Sequence, residues 1–380
     1  MSSLTVQETT FPDSKKHYEI LDGLRGVAAL IVVAFHILEI FSGGDHTKQL
    51  INHGYLAVDF FFLLSGFVIA HAYDDRWRKM SLKDFFKRRL VRLHPMIIVG
   101  MLLGAICFYP SASAMFPAVA ATPVWKLILV TILGLFLLPV PNSLDIRGWG
   151  EMYPLNGPAW SLFFEYIANI FYALFLRKAS NTVMWILVIV SGAALIHLAT
   201  TGPNGDIIGG WSLDLAQMRI GFTRLAFPFL AGILLRRLCQ PGNIKLAFLW
   251  SSLLICAVLM FPRVGGTQNL WMNGLYDSLT VIFIFPVIIY IGASGSIASA
   301  KARRLCTFLG DISYPIYITH FPVLYIYYAW VANNNIQLEN VWIMGLLVFT
   351  VSIVIAYISL RFYDIPIRKW LTEKLISKKA

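Results

Sequence analysis

Eleven apolar runs follow one another along this chain, separated by short polar connections: residues 21–41, 57–73, 95–115, 124–140, 159–176, 183–198, 222–235, 246–261, 278–291, 308–329 and 341–362. About 20 such residues carry a helix across the hydrocarbon core of a bilayer. A water-facing fold has no place for so many. Only 13% of the 380 residues are charged and 58% are hydrophobic, against about 25% charged in an ordinary soluble domain. The chain therefore reads as all-α, a polytopic transmembrane helix bundle.

Charge then sets the orientation. Lys and Arg number 31 against 20 Asp and Glu, for a net charge of +11. These basic residues lie in short clusters between apolar runs, the pattern of cytosolic loops under the positive-inside rule rather than of a nucleic-acid-binding face. The densest cluster, residues 76–92, is assigned to the cytosol with Arg177–Lys178, Arg236–Arg237, residues 301–304 and the basic tail. Residues 42–54 and 141–158 then fall outside, and both termini fall inside. An even number of crossings is required, yet eleven runs are present. The expectation is about ten spans plus one re-entrant or interfacial segment between residues 95 and 140.

The chain divides into a cytosolic N-terminal segment (1–20), a transmembrane domain (21–370) and a basic cytosolic tail (371–380), with no internal repeat and no attached soluble domain. The polar residues 1–17 precede the first run, and no small-residue cleavage site follows it, so it is expected to stay as a span in the plasma (inner) membrane. Four scattered cysteines without a CxxC pair or Cys/His spacing predict no metal site.

Chemistry enters with the first span, LDGLRGVAALIVVAFHILEIF. Arg25 and His36 differ by about 20° around a helix and by roughly 16 Å along it, so they share one stripe. A deep histidine is costly in hydrocarbon and is a functional candidate. Asp22 and Glu39 stand about one turn from Arg25 and His36, close enough to pair with them. The competing reading is a capping Asp, a snorkelling Arg and a histidine bonded to a neighbouring helix. Asp59, Ser65 and His71 punctuate the Phe-rich second run, in which Gly66 admits another backbone. After it, Arg88, Arg89 and Arg92 crowd the inner face, where guanidinium forks suit phosphate oxygens or simply anchor the chain.

These residues resemble the membrane-bound acyltransferase-3 family, bacterial O-acyltransferases of sugars and envelope polymers. Its arginine, ten residues, then histidine match Arg25 and His36; its FFxxSGF-type element matches residues 61–67; its RxxR matches Arg89 and Arg92. Trp160, Ser161 and Glu165 fit its WSLxxE element, and Ser313, Tyr314 and His320 fit its late Ser-Tyr and His segment. YDIPIRK (363–369) fits its closing ExP element, with Asp364 in place of Glu. The likeness spans nearly the whole chain, and the expectation is that no esterase-like extra domain accompanies it.

The resemblance implies acyl-CoA, most simply acetyl-CoA, as co-substrate, and a carbohydrate or glycolipid hydroxyl as acceptor. No nucleic acid and no metal are implied. Arg25, Arg88, Arg89 and Arg92 would hold the donor phosphates, His36 would act as base or acyl carrier, and Glu165 would orient it or relay a proton. His320 ranks above Tyr314, because six residues place those two about 120° apart on one helix. Two rivals stay open: a transporter or flippase for a polysaccharide precursor or acyl group, which often shows repeated halves, and a scaffold whose polar residues only join helices.

Overall fold

The computed structural model describes residue 15 and residues 17–297 and 299–376. Most of segment 1–20, and residues 377–380 of the tail, lie outside the described residues. Among those described, the chain is helical and forms no strand. The helices are α1 (Glu19–Glu39), α2 (Ala57–Tyr73), α3 (Leu82–Ile106), α4 (Val124–Leu135), α5 (Ala159–Leu174), α6 (Asn181–Thr201) and α7 (Leu215–Leu238), then α8 (Ala247–Leu259), α9 (Leu270–Leu279), α10 (Phe285–Ala293), α11 (Ala300–Asn334), α12 (Trp342–Ser359) and α13 (Ile365–Leu375). Single π-helical turns, Thr280–Ile284 and Leu360–Asp364, join α9 to α10 and α12 to α13 into longer rods.

Eight helical stretches among the described residues are long and apolar enough to cross a membrane. α11 is not one of them, although it is the longest at 35 residues. Its Tyr, His and Pro residues dilute the apolar run, and its middle faces protein instead: Ile312, Ile316, Ile318, His320 and Leu324 are all buried. α4, inside the 95–140 window, has only 12 residues. At 1.5 Å per residue it rises about 18 Å, short of a hydrocarbon core of about 30 Å. α8 is nearly as short, at 13 residues.

Local signals explain several boundaries. Ser81 and Asp84 form a reciprocal capping box at the start of α3, satisfying two amides that would otherwise lack partners. Asp214 accepts from Gln217 N and so starts α7, earlier than the apolar pattern alone indicates. Asn335, at φ 50°, ends α11 in the left-handed conformation that Asn tolerates better than most residues.

Small residues decide which helices touch. A Cβ on Gly26 would come within 2.3 Å of the Leu309 carbonyl oxygen, and one on Gly310 within 2.6 Å of the Asp22 Cβ. α1 and α11 therefore lie backbone to backbone near their amino-terminal halves. Gly66 of α2 and Gly232 of α7 make the same approach reciprocally, each against a carbonyl of the other helix. Close small-residue packing of this kind replaces the hydrophobic drive that is missing between helices in lipid.

The 141–158 connection departs from a plain outer loop. Residues 151–158 carry no helix, yet they are buried without exception. Asp145 accepts from the amides of Arg147, Gly148 and Gly150, with Gly148 and Gly150 at φ 92° and 68°. Asn156 Nδ2 donates to the Ile318 carbonyl of α11, and Gly157 N to the Tyr325 hydroxyl. Irregular backbone is tolerated away from water only when protein partners satisfy it. This segment meets that condition by leaning on α11.

Candidate active site

The site grows along the seam between α1 and α11. Near the start of α1, Arg25 Nε donates to Ser313 Oγ at 2.9 Å and its Nη2 donates to Asp22 Oδ1 at 2.8 Å. Asp22 also meets His17 Nε2 at 3.0 Å, and that hydrogen bond, above all, lifts the His17 pKa over its ordinary value. Eleven residues further along α1, the His36 ring stacks on His320, with centroids 5.6 Å apart, and meets the edge of Phe321 at 5.0 Å. Arg25 and His36 thus both reach α11. The numbers rise together, Arg25 to Ser313 and His36 to His320, so the two helices run parallel.

The His36 ring is oriented by Glu39, whose Oε2 lies 2.7 Å from Nδ1; a carboxylate only accepts, so in the neutral ring this contact places the proton on Nδ1 and the lone pair on Nε2. The Tyr328 hydroxyl donates to the His36 carbonyl at 2.5 Å, pinning that turn to α11. The His36 and Glu39 side chains keep 20% and 34% exposure. His320 is fully buried; its Nδ1 donates to the Ile316 carbonyl at 2.8 Å, which leaves Nε2 without a partner among the described residues. Two imidazoles, each with Nε2 uncommitted, stand ring to ring.

The other residues singled out by sequence take varied places. Glu165 is bonded to Ser65 Oγ and Arg89 Nη2, both at 3.0 Å to Oε1; the carboxylate on His36 is that of Glu39. Arg89 is buried and spans from α3 to α5 through this pair. Arg92 lies close enough to Arg25, Asp22 and Asp364 to act on them electrostatically, which puts it at the same end of the seam as Arg25. Arg88 follows the same turn of α3 and is also partnered. Tyr314 turns away from His36 and donates to the Leu93 carbonyl at 2.6 Å. Asp364, the last residue of the second π turn, pairs with Arg368 of α13 at 2.9 Å.

Some groups escaped the sequence reading. Tyr317 stands 6.2 Å from His320, ring to ring, and shares a 2.7 Å hydrogen bond with Ser161. Its i−3 spacing from His320 is the signal that could have found it. Arg224 grips Asp59 through Nη2 at 2.6 Å and Nε at 3.2 Å, both residues buried; no local pattern links two positions so far apart in sequence. Among the described residues no cluster of His, Cys, Asp and Glu fit to hold a metal ion occurs.

Arg25 at one end and His36 at the other thus line a single seam between α1 and α11. The sequence profile of the acyltransferase domain family matches residues 18–361, and the chain belongs to that family: it is a membrane acyltransferase. "Protein 2 in picA locus" of Rhizobium radiobacter is 34% identical over 198 residues, covering 48% of this chain and 95% of that protein. "O-acetyltransferase OatA" of Staphylococcus aureus is 24% identical over 372 residues, covering 94% of this chain and 58% of the relative. A putative O-acetyltransferase of the same species is 24% identical over 377 residues, 92% of this chain and 57% of the relative. The chain thus spans under three-fifths of these two staphylococcal proteins. No solved structure matches it.

Proposed function

We propose that the protein transfers an acyl group, acetyl in the simplest case, from cytosolic acyl-CoA to a hydroxyl of a sugar or envelope glycan at the plasma membrane. Ten helices cross in this reading, α8 and α11 among them, with α4 not crossing and both termini cytosolic. Arg25, Arg88, Arg89 and Arg92 form the rim that receives the donor phosphates, where guanidinium forks match phosphate oxygens. The pantetheine arm then follows the α1–α11 seam for about three helical turns, the rise from Arg25 to His36. His36 Nε2 removes the proton of the acceptor hydroxyl as its oxygen attacks the thioester carbonyl. The C–O ester bond forms, the C–S bond breaks, and the proton passes from His36 to the departing CoA thiolate.

Glu39 holds the imidazole and stabilises its protonated form. His320 supplies a neutral wall against His36, and Glu165, tied to Arg89, fixes the rim to α5. The observation that carries the reading is that Arg25 and His36 both face α11 while His36 Nε2 stays uncommitted. The names of the staphylococcal relatives support O-acetyl transfer in particular. The test is mass spectrometry of envelope glycans from cells with the wild-type chain, without it, and with His36→Ala. An ester mass present only with the wild type is expected. The same ester pattern in all three strains would overturn the reading.

A further inference from the structure

The inward-folded segment before α5 carries ionisable groups that the transfer step above does not use. Arg147 is wholly buried; its Nε donates to the Pro154 carbonyl at 2.6 Å and its Nη1 to Ser111 Oγ at 2.9 Å. The guanidinium carbon sits 3.4 Å over the centre of the Tyr325 ring. Arg147 Nη2 has no hydrogen-bond partner among the described residues, and neither has Asn156 Oδ1 further along the segment. Orphaned buried polar atoms are costly and call for an explanation, an absent ligand or water being the usual one.

Glu151 lies between them and is 7% exposed. Its Oε2 accepts from the Tyr325 hydroxyl at 2.7 Å, while Oε1 points to the bare face of Gly157, where a Cβ would come within 2.8 Å of it. That same Cβ would meet Phe321 at 3.1 Å and the Tyr325 hydroxyl at 3.3 Å. Phe321 is the ring that packs edge-on against His36. One phenyl ring therefore separates the Glu151 carboxyl from the imidazole, on the side opposite the Arg25 end of the seam.

We propose that Glu151 is an acceptor-binding residue: Glu151 Oε1 receives a hydrogen bond from a hydroxyl of the incoming polyol or sugar, with the Phe321 ring beside it, and so presents an acceptor oxygen to His36 Nε2. A carboxylate that accepts from hydroxyls next to an aromatic face is suited to carbohydrate hydroxyls. Water, the smallest hydroxyl acceptor, is held in the same way when no sugar is present. The assignment rests on the acyl-transfer reading above.

Protonation sharpens it. Burial raises the Glu151 pKa to about 7, against the opposing pull of the Tyr325 hydroxyl and Arg147. The groups around it are Arg147 and Asp145 from its own segment, Tyr325 and Tyr328 from α11, and Glu39 beside His36 from α1. Its ionised form accepts on both oxygens, whereas its protonated form, dominant below about pH 7, turns one of them into a donor and accepts the hydroxyl more weakly. Transfer therefore falls on the acid side as Glu151 takes up a proton.

The test uses the full chain in lipid nanodiscs with acetyl-CoA and water as the probe acceptor, and ester mass on envelope glycans in cells. Glu151→Gln, which still accepts from Tyr325, is expected to cut acetyl-CoA cleavage and glycan ester at least tenfold, with acetyl-CoA KM within twofold. In log rate against pH, the part of the acid limb that Glu151 sets, near pH 7, should disappear. Tyr325→Phe removes the donor that holds the Glu151 pKa down, so its acid limb should move to higher pH. Glu151→Gln acting at the wild-type rate, or keeping the wild-type acid limb, or raising acetyl-CoA KM more than twofold, would overturn the proposal. A wild type that neither cleaves acetyl-CoA nor adds an ester, like His36→Ala, would instead overturn the acyl-transfer reading and this assignment with it.

Discussion

Two of the histidine–carboxylate pairs among the described residues, those of His36 and His53, are of nearly equal length and differ in burial and in what they join. His36 and Glu39 meet at 2.7 Å within one helix and keep 20% and 34% side-chain exposure. His53 and Asp277 meet at 3.0 Å across 224 residues of sequence and have none. Tyr55 adds a second hydrogen bond to Asp277 at 2.8 Å, and Tyr276 lies 4.4 Å from the His53 ring. The first pair is assembled locally, by i,i+3 spacing, and ties no two helices together. The second joins the approach to α2 to α9 and is sealed. In the proposed function the same pairing serves reaction in one place and architecture in the other, with access to the imidazole as the difference.

That contrast can be broken most forcefully at His36. His36→Ala should lower kcat about 10²- to 10⁴-fold, the usual contribution of a positioned general base, without lowering the thermal midpoint. A rate close to wild type would erase the distinction. Asp277→Ala should do the reverse: leaving the buried His53 and Tyr55 groups without their acceptor costs about 1–3 kcal/mol each, read as a lower thermal midpoint in detergent and less protein in the membrane. Turnover per folded molecule should stay within about threefold, and a selective loss of turnover would make the second pair part of the reaction.

Smaller effects sharpen the picture. Glu39→Gln should reduce kcat about tenfold while acyl-CoA KM holds, because it disturbs the charge and tautomer of His36 rather than the donor rim. Arg25→Gln should raise acyl-CoA KM about tenfold, roughly 1.4 kcal/mol of binding, and a change confined to kcat would move Arg25 from the rim to the chemistry. Last, a double-mutant cycle on Arg89 and Glu165 should give a coupling of about 1 kcal/mol in stability. Zero coupling would mean that the 3.0 Å contact does not tie α3 to α5.

Much of this was legible in the chain because it is written at short range. Apolar length announced the helices, and the eleven-residue interval placed Arg25 and His36 on one stripe. The i,i+3 intervals paired Asp22 with Arg25 and His36 with Glu39, as the hydrogen bonds show. Gly66 was readable as a site of close approach for the same local reason, and Phe229 of α7 supplies the backbone it meets.

What was not legible depends on pairs that only tertiary packing brings together. Glu165 finds Arg89 across 76 residues, and Asp59 finds Arg224 across 165; either carboxylate had several arginines within conceivable reach. The boundaries of α7 and α9 also moved, because Gln217, Asn273 and Asp277 are satisfied inside the protein and do not interrupt their helices as polar residues facing lipid would. The burial of residues 151–158 was hidden for a related reason. Glycine, proline and polar residues read as an exposed connection until α11 is seen to receive their hydrogen bonds.

The account stands most directly on where the donor lies. A cryo-electron microscopy structure of the full chain with a non-cleavable S-acyl-CoA analogue tests this. The phosphates should lie at the Arg25, Arg89 and Arg92 end, with the arm along the α1–α11 seam and the acyl carbonyl carbon beside His36, leaving room for an acceptor oxygen about 3–3.5 Å from both that carbon and Nε2. An analogue bound on another face of the bundle, with its acyl end remote from His36, would contradict it.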